Sequence, residues 1–204
     1  GGMAACGCAY EARRWAPDDM KIIMVDKAAV DRSGAVAQGL SAINTYIGDN
    51  SVDDYVRMVH ADLMGITRDD LVYDVGRHVD DSVHLFEEWG LPIWKSKETE
   101  GTPLKDGGKP VRSGRWQIMI NGESYKTIVA ESAKKALGID NIYERVFIVK
   151  LLLDNNEDNR IAGAVGFSVR ENKIYVFKCK GALLAGGGAV NVFRPRSTGE
   201  GQGR

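Results

Sequence analysis

Apolar and polar positions alternate along this chain with two periods, and the order of the periods predicts its elements. Small residues from Gly1 to Ala12 run straight into a helical stretch with no strand before it. Residues 21–26 (KIIMVD) read as a short buried strand ending on an acid. A glycine-containing loop with Ser33, Gly34 and Gly39 follows. The pattern then turns helical over 52–63, behind a Ser51 N-cap with acids in the first turn, and again over 69–89, where Gly90 and Pro92 stop it. Residues 95–115 are polar, with four glycines and two prolines, and predict a surface excursion. A third helix is expected over 124–137, closed by Gly138. Beyond it, 142–153 is apolar and β-branched and reads as strand, 154–159 as a turn, 161–169 and 173–177 as a hairpin-like pair, and 182–185 as a last buried strand running into Gly186, Gly187 and Gly188. Strand, helix, strand at the start and a strand-to-glycine return at the end argue for an α/β fold. Its parallel sheet would have a nucleotide at its edge.

Composition narrows the class without changing that picture. The 204 residues allow one good core, or one domain and part of a second. Apolar residues make up 44%, and 27 Lys and Arg nearly cancel 28 Asp and Glu, the balance of an ordinary soluble globular protein. No basic excess or dense Lys/Arg stripe marks a nucleic-acid face, and no apolar run approaches the roughly 20 residues that span a bilayer. Three cysteines, Cys6, Cys8 and Cys179, are too few for a disulfide framework or for the four ligands of a cubane cluster. No metal site is expected, and a reducing cytoplasm is the simplest setting.

The glycines carry the first chemical signal. A dinucleotide fold needs a tight turn, a close approach of backbone to pyrophosphate, and a helix N-terminus aimed at it. With one glycine placed before Gly1, the start would match GxGxx(G/A), with Gly2 as the second required glycine and Ala5 in the third place. A flexible tail would read the same way. Asp26 ends the next strand 24 residues after Gly2, close to the spacing of about 20 for the acid that bonds a ribose 2′-hydroxyl, though a solvated strand-end acid is the plainer alternative. Ser33, Gly34, Gln38 and Gly39 could meet phosphate or the ring through backbone amides and the Ser33 hydroxyl, and would equally form a turn. His60, His78 and His84 stand at no metal or catalytic spacing and read as surface or packing residues. The strand expected before the glycines is missing, so the chain is expected to be cut at its start.

Four longer strings are more specific than the glycine pattern: VDKAAVDRSGAVAQGLSAINTY at 25–46, GRHVDDSVHLFEEWGLP at 76–92, SGRWQIMINGESYK at 113–126 and NVFRPRSTGEG at 191–201. From end to end the chain resembles the alpha subunits of dissimilatory adenylylsulfate (APS) reductases, within the fumarate reductase and succinate dehydrogenase flavoprotein superfamily. The resemblance implies a Rossmann-like FAD-binding domain with a parallel sheet, an inserted helical region over about 51–123 and a small β-hairpin element, incomplete at both termini, its capping domain lying outside 1–204. It implies non-covalent FAD, with Gly2, Ala5 and Asp26 in the pyrophosphate and ribose roles. Lys27, Ser33, Gly34, Gln38 and Gly39 would line the phosphates and isoalloxazine. Phe147 would lie on the strand passing the adenine, and Ala185, Gly186 and Gly187 on the small-residue return beside the cofactor. Asn44 matches a family asparagine that reaches the substrate, although an asparagine after an apolar triplet could also cap a turn.

The activity so implied is the reversible reduction of APS to AMP and sulfite through a flavin N5–sulfite adduct. Electrons would come from a ferredoxin-like beta subunit holding [4Fe–4S] clusters. The family's active-site histidine and arginine would lie beyond Arg204, so the residues 1–204 alone are expected to be inactive. A fumarate- or succinate-type FAD oxidoreductase of the same superfamily is the alternative. The covalent flavin–histidine link typical of its membrane-bound members finds no histidine beside Ser33 and Gly34. A flavin-binding module without activity is the third reading.

Overall fold

A computed structural model describes residues 1–46, 50–92, 116–190 and 193. The expected excursion at 95–115 lies outside these residues, as does nearly all of the string at 191–201. The chain forms two compact units, one of Gly1–Gly39 with Lys126–Arg204 and one of Leu40–Tyr125.

The first unit begins with α1 (Met3–Trp15), which buries Cys6 and Ala9 and exposes its arginine-bearing end. Arg13, in the last turn, donates to the carbonyls of Ala16 and Met20, both at 2.9 Å, and so ties down the chain that leaves the helix. β1 (Met24–Val25) pairs in parallel with β4 (Ile142–Tyr143), in the register Met24 to Ile142 and Val25 to Tyr143. The last three turns of α4 (Gly122–Leu137) present Lys126, Val129, Ala130, Ala133 and Leu137 to the interior. That spacing of three and four residues is the stripe that an amphipathic helix buries. β5 (Val146–Leu153), β6 (Ile161–Ser168) and β7 (Ile174–Lys178) form an antiparallel meander. On one of its faces Tyr143 meets Phe177 edge-on, ring centroids 5.1 Å apart, and Phe177 stacks on Tyr175.

The expected α/β class is therefore present, with its parallel pairing in β1 and β4 and its hairpin in β6 and β7. Two expectations are corrected. The single strand expected over 142–153 is two strands, parted where Arg145 takes a φ of 61°. The reason is a change of partner: Tyr143 pairs with Val25, whereas Val146 pairs with Ser168 across the meander. The last strand expected at 182–185 does not form, and Leu183 and Leu184 are 63% and 73% exposed. An apolar run becomes a buried strand only where a neighbour offers hydrogen bonds, and none of the described strands pairs with it.

In the second unit, β2 (Ala42–Asn44) runs antiparallel to β3 (Gln117–Met119), with Ile43 opposite Ile118. α2 (Val52–Asp62) starts with a capping box: the Asp54 amide donates to Ser51 Oγ while the Asp54 carboxylate accepts from the Ser51 amide. α3 (Asp69–Glu88) ends at Gly90, with the Leu91 amide donating to the Phe86 carbonyl at 2.9 Å. Phe86 then packs edge-on against Tyr125, centroids 5.5 Å apart, among buried Val83, Leu91, Ile118 and Ile120. Both helices thus fall where periodicity puts them.

α2 and α3 meet at Gly76, where an added Cβ would lie 2.9 Å from both Tyr55 Cδ1 and Val52 Cγ2. Gly76→Ala would gain about 1 kcal/mol of helix propensity but overpack a buried tyrosine ring, which costs about 1–3 kcal/mol. Urea unfolding should show net destabilisation. A Gly76→Ala protein more stable than the parent would mean that α2 and α3 are not in close contact.

Candidate functional site

The strongest constellation in the first unit is built around one peptide, between Gly1 and Gly2. Gly2 is the N-cap of α1 and has no side chain to accept from the first-turn amides, and that turn holds no acid. A helix start of this kind favours an anion supplied from outside. Gly34, with a φ of 82°, brings its own backbone against Gly2, and a Cβ on Gly34 would stand 3.1 Å from Gly2 Cα. Two glycines therefore leave a bare backbone at the head of α1.

Asp26 closes the other side. Its backbone is pinned twice: its amide donates to the Tyr143 carbonyl at 2.8 Å, and its carbonyl accepts from the Val146 amide at 2.9 Å. These bonds continue the β1–β4 pairing by one residue and fix where the side chain points. Carboxylate Oδ1 accepts from the Ala28 amide at 3.0 Å, while Oδ2 is buried with no hydrogen-bond partner. The side chain is 5% exposed. An unsatisfied carboxylate oxygen in that setting is costly unless a donor is brought to it. The same Oδ2 fills the space of a Gly1 side chain, 1.8 Å from where a Cβ would be.

Of the residues singled out in the sequence, the structure gathers Gly2, Asp26, Ser33 and Gly34. Ser33 is buried, and its hydroxyl donates to the Gly1 carbonyl at 2.9 Å, so its proton serves the backbone of the turn. Ala5 is on the first turns of α1. Lys27 is exposed and holds its ammonium 5.9 Å from the centre of the Phe147 ring. Gln38 and Gly39 end a short 3₁₀ turn and are exposed. Ala185, Gly186 and Gly187 lie on the irregular segment after β7, and among the described residues no hydrogen bond joins them to the glycine turn. Asn44 belongs to the second unit, exposed on β2, where its amide donates to the Trp116 carbonyl at 3.3 Å.

Two of the three histidines pair with carboxylates near them on the helices. His60 Nδ1 is 3.0 Å from Asp69, and His84 Nδ1 is 2.9 Å from Glu87. Hydrogen bonds from Thr67 and then His60 hold the Asp69 carboxyl below its ordinary range. Among the described residues no group of three or more His, Cys, Asp or Glu is placed to hold a metal. Among them, too, no helix is long and apolar enough to cross a membrane.

Two residues at the turn escaped the sequence reading. Gly1 occupies a variable position of the fingerprint, yet an added Cβ there would lie 1.8 Å from the Asp26 carboxylate, the shortest such distance among the described glycines. Lys126 is 2% exposed, and its ammonium reaches the Gly1 and Val30 carbonyls and Cys6 Sγ. A lysine in a helical stripe gives no sign in sequence of pointing inward.

A glycine turn opening a helix, with a strand-end carboxylate beside it, defines a nucleotide-binding protein of the dinucleotide type. Residues 1–202 match the FAD binding domain family, and the chain belongs to that family. It is 65% identical to the adenylylsulfate reductase subunit alpha of Megalodesulfovibrio gigas, an alignment that takes in 100% of this chain and 33% of the relative. It resembles the solved adenylylsulfate reductase of the hyperthermophilic Archaeoglobus fulgidus, at 61% identity and a TM-score of 0.81, over 100% of this chain and 32% of that one. A further likeness is to an adenosine-5-phosphosulfate reductase in complex with sulfite as a covalent adduct, at 60% identity and a TM-score of 0.82, over 98% of this chain and 31% of that one. The chain thus spans about a third of the length of these relatives.

The clash geometry at Gly1 gives a direct check. Gly1→Ala should destabilise the protein by about 1–3 kcal/mol, because the new methyl needs the space of the Asp26 carboxylate. In an Asp26→Gly background that penalty should largely vanish. An equal penalty in both backgrounds, measured by chemical denaturation, would contradict the contact.

Proposed function

We propose that this chain forms the FAD-binding part of an adenylylsulfate reductase alpha subunit, a soluble cytoplasmic protein. The whole protein would reduce APS to AMP and sulfite, reversibly, with two electrons delivered by a ferredoxin-like partner carrying [4Fe–4S] clusters. The observation that supports the cofactor reading best is the Oδ2 of Asp26, buried without a hydrogen-bond partner and 3.9 Å from the Gly1 ammonium, beside the bare glycine turn. A ribose hydroxyl supplies a hydrogen-bond donor to that oxygen, and a pyrophosphate supplies an acceptor for the Gly2 amide at the head of α1, which makes no hydrogen bond among the described residues. The identity of 60% or more to proteins named for this activity supports the substrate.

In this reading each residue has a limited task. Asp26 accepts from the adenosine ribose and fixes the register of the dinucleotide. Gly2 and Gly34, with Ala5 behind them, let phosphate oxygens approach the backbone. Lys27 offers a positive charge beside that path, and the Lys27–Phe147 pair bounds the adenine end. Gln38 and Gly39 meet the ring end, and Ala185, Gly186 and Gly187 return beside the cofactor. FAD, when bound, supplies the two-electron chemistry at sulfur. Asn44 offers its amide to the sulfate group of APS, holding the sulfur in place while the bond to the AMP phosphate oxygen breaks. The net change is APS plus two electrons and a proton giving AMP and hydrogen sulfite.

Acid precipitation of the full-length protein should release FAD unmodified. Asp26→Ala should lower FAD affinity by about tenfold or more. With its iron–sulfur partner, the protein should oxidise sulfite only when AMP is present. Reduction of fumarate without AMP-dependent sulfite oxidation would overturn the assignment in favour of a dicarboxylate enzyme. Asn44→Ala should leave FAD content unchanged and slow APS turnover by about tenfold or more. Unchanged steady-state kinetics would remove Asn44 from the site.

A further inference from the structure

Lys126 has no part in the reading above, yet it is the most deeply buried charged side chain near the glycine turn. It sits at the start of the inward stripe of α4, 2% exposed. Its ammonium has three hydrogens and finds three acceptors: the Gly1 carbonyl at 2.9 Å, the Val30 carbonyl at close range, and Cys6 Sγ at 3.5 Å. Among the described residues no carboxylate lies within ion-pair distance of it. Burying an ammonium among neutral acceptors is unfavourable, and a leucine at that point of an amphipathic stripe would bury more apolar surface. The charge therefore calls for a role beyond packing.

The peptide it holds indicates that role. A trans peptide is planar, with its C=O and N–H pointing in opposite directions. The Gly1 carbonyl is held inward by Lys126 and Ser33, so the N–H of Gly2, in the same peptide plane, is turned away from them. Among the described residues that N–H makes no hydrogen bond. A cation on the carbonyl oxygen also polarises the peptide and strengthens its N–H as a donor. The second tie, to Val30, fastens the turn to the loop that carries Ser33 and Gly34.

We propose that Lys126 is a positioning residue for diphosphate recognition: from inside the protein it fixes and polarises the Gly1–Gly2 peptide, so that the Gly2 amide is presented to the diphosphate of the dinucleotide. This rests on the FAD site proposed above. The chemistry it serves is anionic, so its effect is confined to ligands that carry the phosphates.

The test compares ligands with and without the diphosphate on full-length protein freed of flavin. Affinities for FAD, ADP and adenosine are measured by calorimetry in the parent, Lys126→Gln, Lys126→Met and Ser33→Ala. Glutamine can still donate to both carbonyls without the charge, so it guards against a methionine variant that does not fold. Lys126→Gln should weaken FAD and ADP by about tenfold and change adenosine by less than about twofold. Ser33→Ala, which removes the other donor to the Gly1 carbonyl, should move the same ratio by a smaller factor. Equal losses for ADP and adenosine would make Lys126 a merely structural lysine and overturn the proposal, and so would no loss at all. If the parent binds neither FAD nor ADP, the cofactor site itself fails. If the parent binds FAD and Asp26→Ala weakens it while Lys126→Gln does not, the site stands and Lys126 has no part in it.

Discussion

Everything proposed for the first unit depends on the packing around a single glycine. Gly1 has the Asp26 carboxylate where its side chain would be, and its carbonyl is held by Lys126 and Ser33. Segments distant in sequence from Gly1 are tied at that point: the β1 end with the loop after it, and α4. Each tie uses a polar group taken out of water, and such groups stabilise only when their geometry is satisfied. The turn is therefore stiff, and two groups without a hydrogen bond among the described residues, Asp26 Oδ2 and the Gly2 N–H, stand out against it.

In the proposed reading, a short parallel pairing positions the ligand. β1 and β4 contribute two residues each, but the hydrogen bonds of Asp26 to Tyr143 and Val146 continue the line. The acid is thus delivered at the carboxyl end of a strand, beside a helix start, the geometry that places a ribose and a pyrophosphate together. The buried stripe of α4 lies behind it, with small Ala130 and Ala133 beside Val129 and Leu137. In the second unit the capping box of α2 and the close contact at Gly76 show the same economy: local sequence signals mark where helices begin, and one missing side chain lets two of them meet.

Much of this was legible in the sequence, for identifiable reasons. α2, α3 and α4 follow the 3.6-residue period, α2 behind its Ser51 cap, so their extents were legible to within a residue or two; α4 begins at Gly122, two residues early, because Asn121 Oδ1 accepts from the Glu123 and Ser124 amides. The nearness of Asp26 to the glycine turn was suggested by spacing, because the fingerprint records where backbone and carboxylate must be. What escaped was set by tertiary contact. Periodicity could not show the break at Arg145, which arises where the chain exchanges one strand partner for another. The apolar residues Leu183 and Leu184 looked like a strand, yet no described strand pairs with them. Gly1 sits at a position the fingerprint leaves free, and Lys126 looks like any helical lysine until the carbonyls it reaches are known. Relatives 60–65% identical agree with the family that the longer strings suggested, while they extend about three times further than this chain.

The central claim is that Asp26 Oδ2 receives the adenosine ribose of FAD. It is tested most directly by titrating flavin-free protein with FAD and with an analogue lacking the 2′-hydroxyl on that ribose. The account predicts weaker binding of the analogue, by about tenfold, in the parent protein and no discrimination in Asp26→Ala. Equal affinity of the parent for both ligands would mean that the buried carboxylate oxygen serves some other purpose.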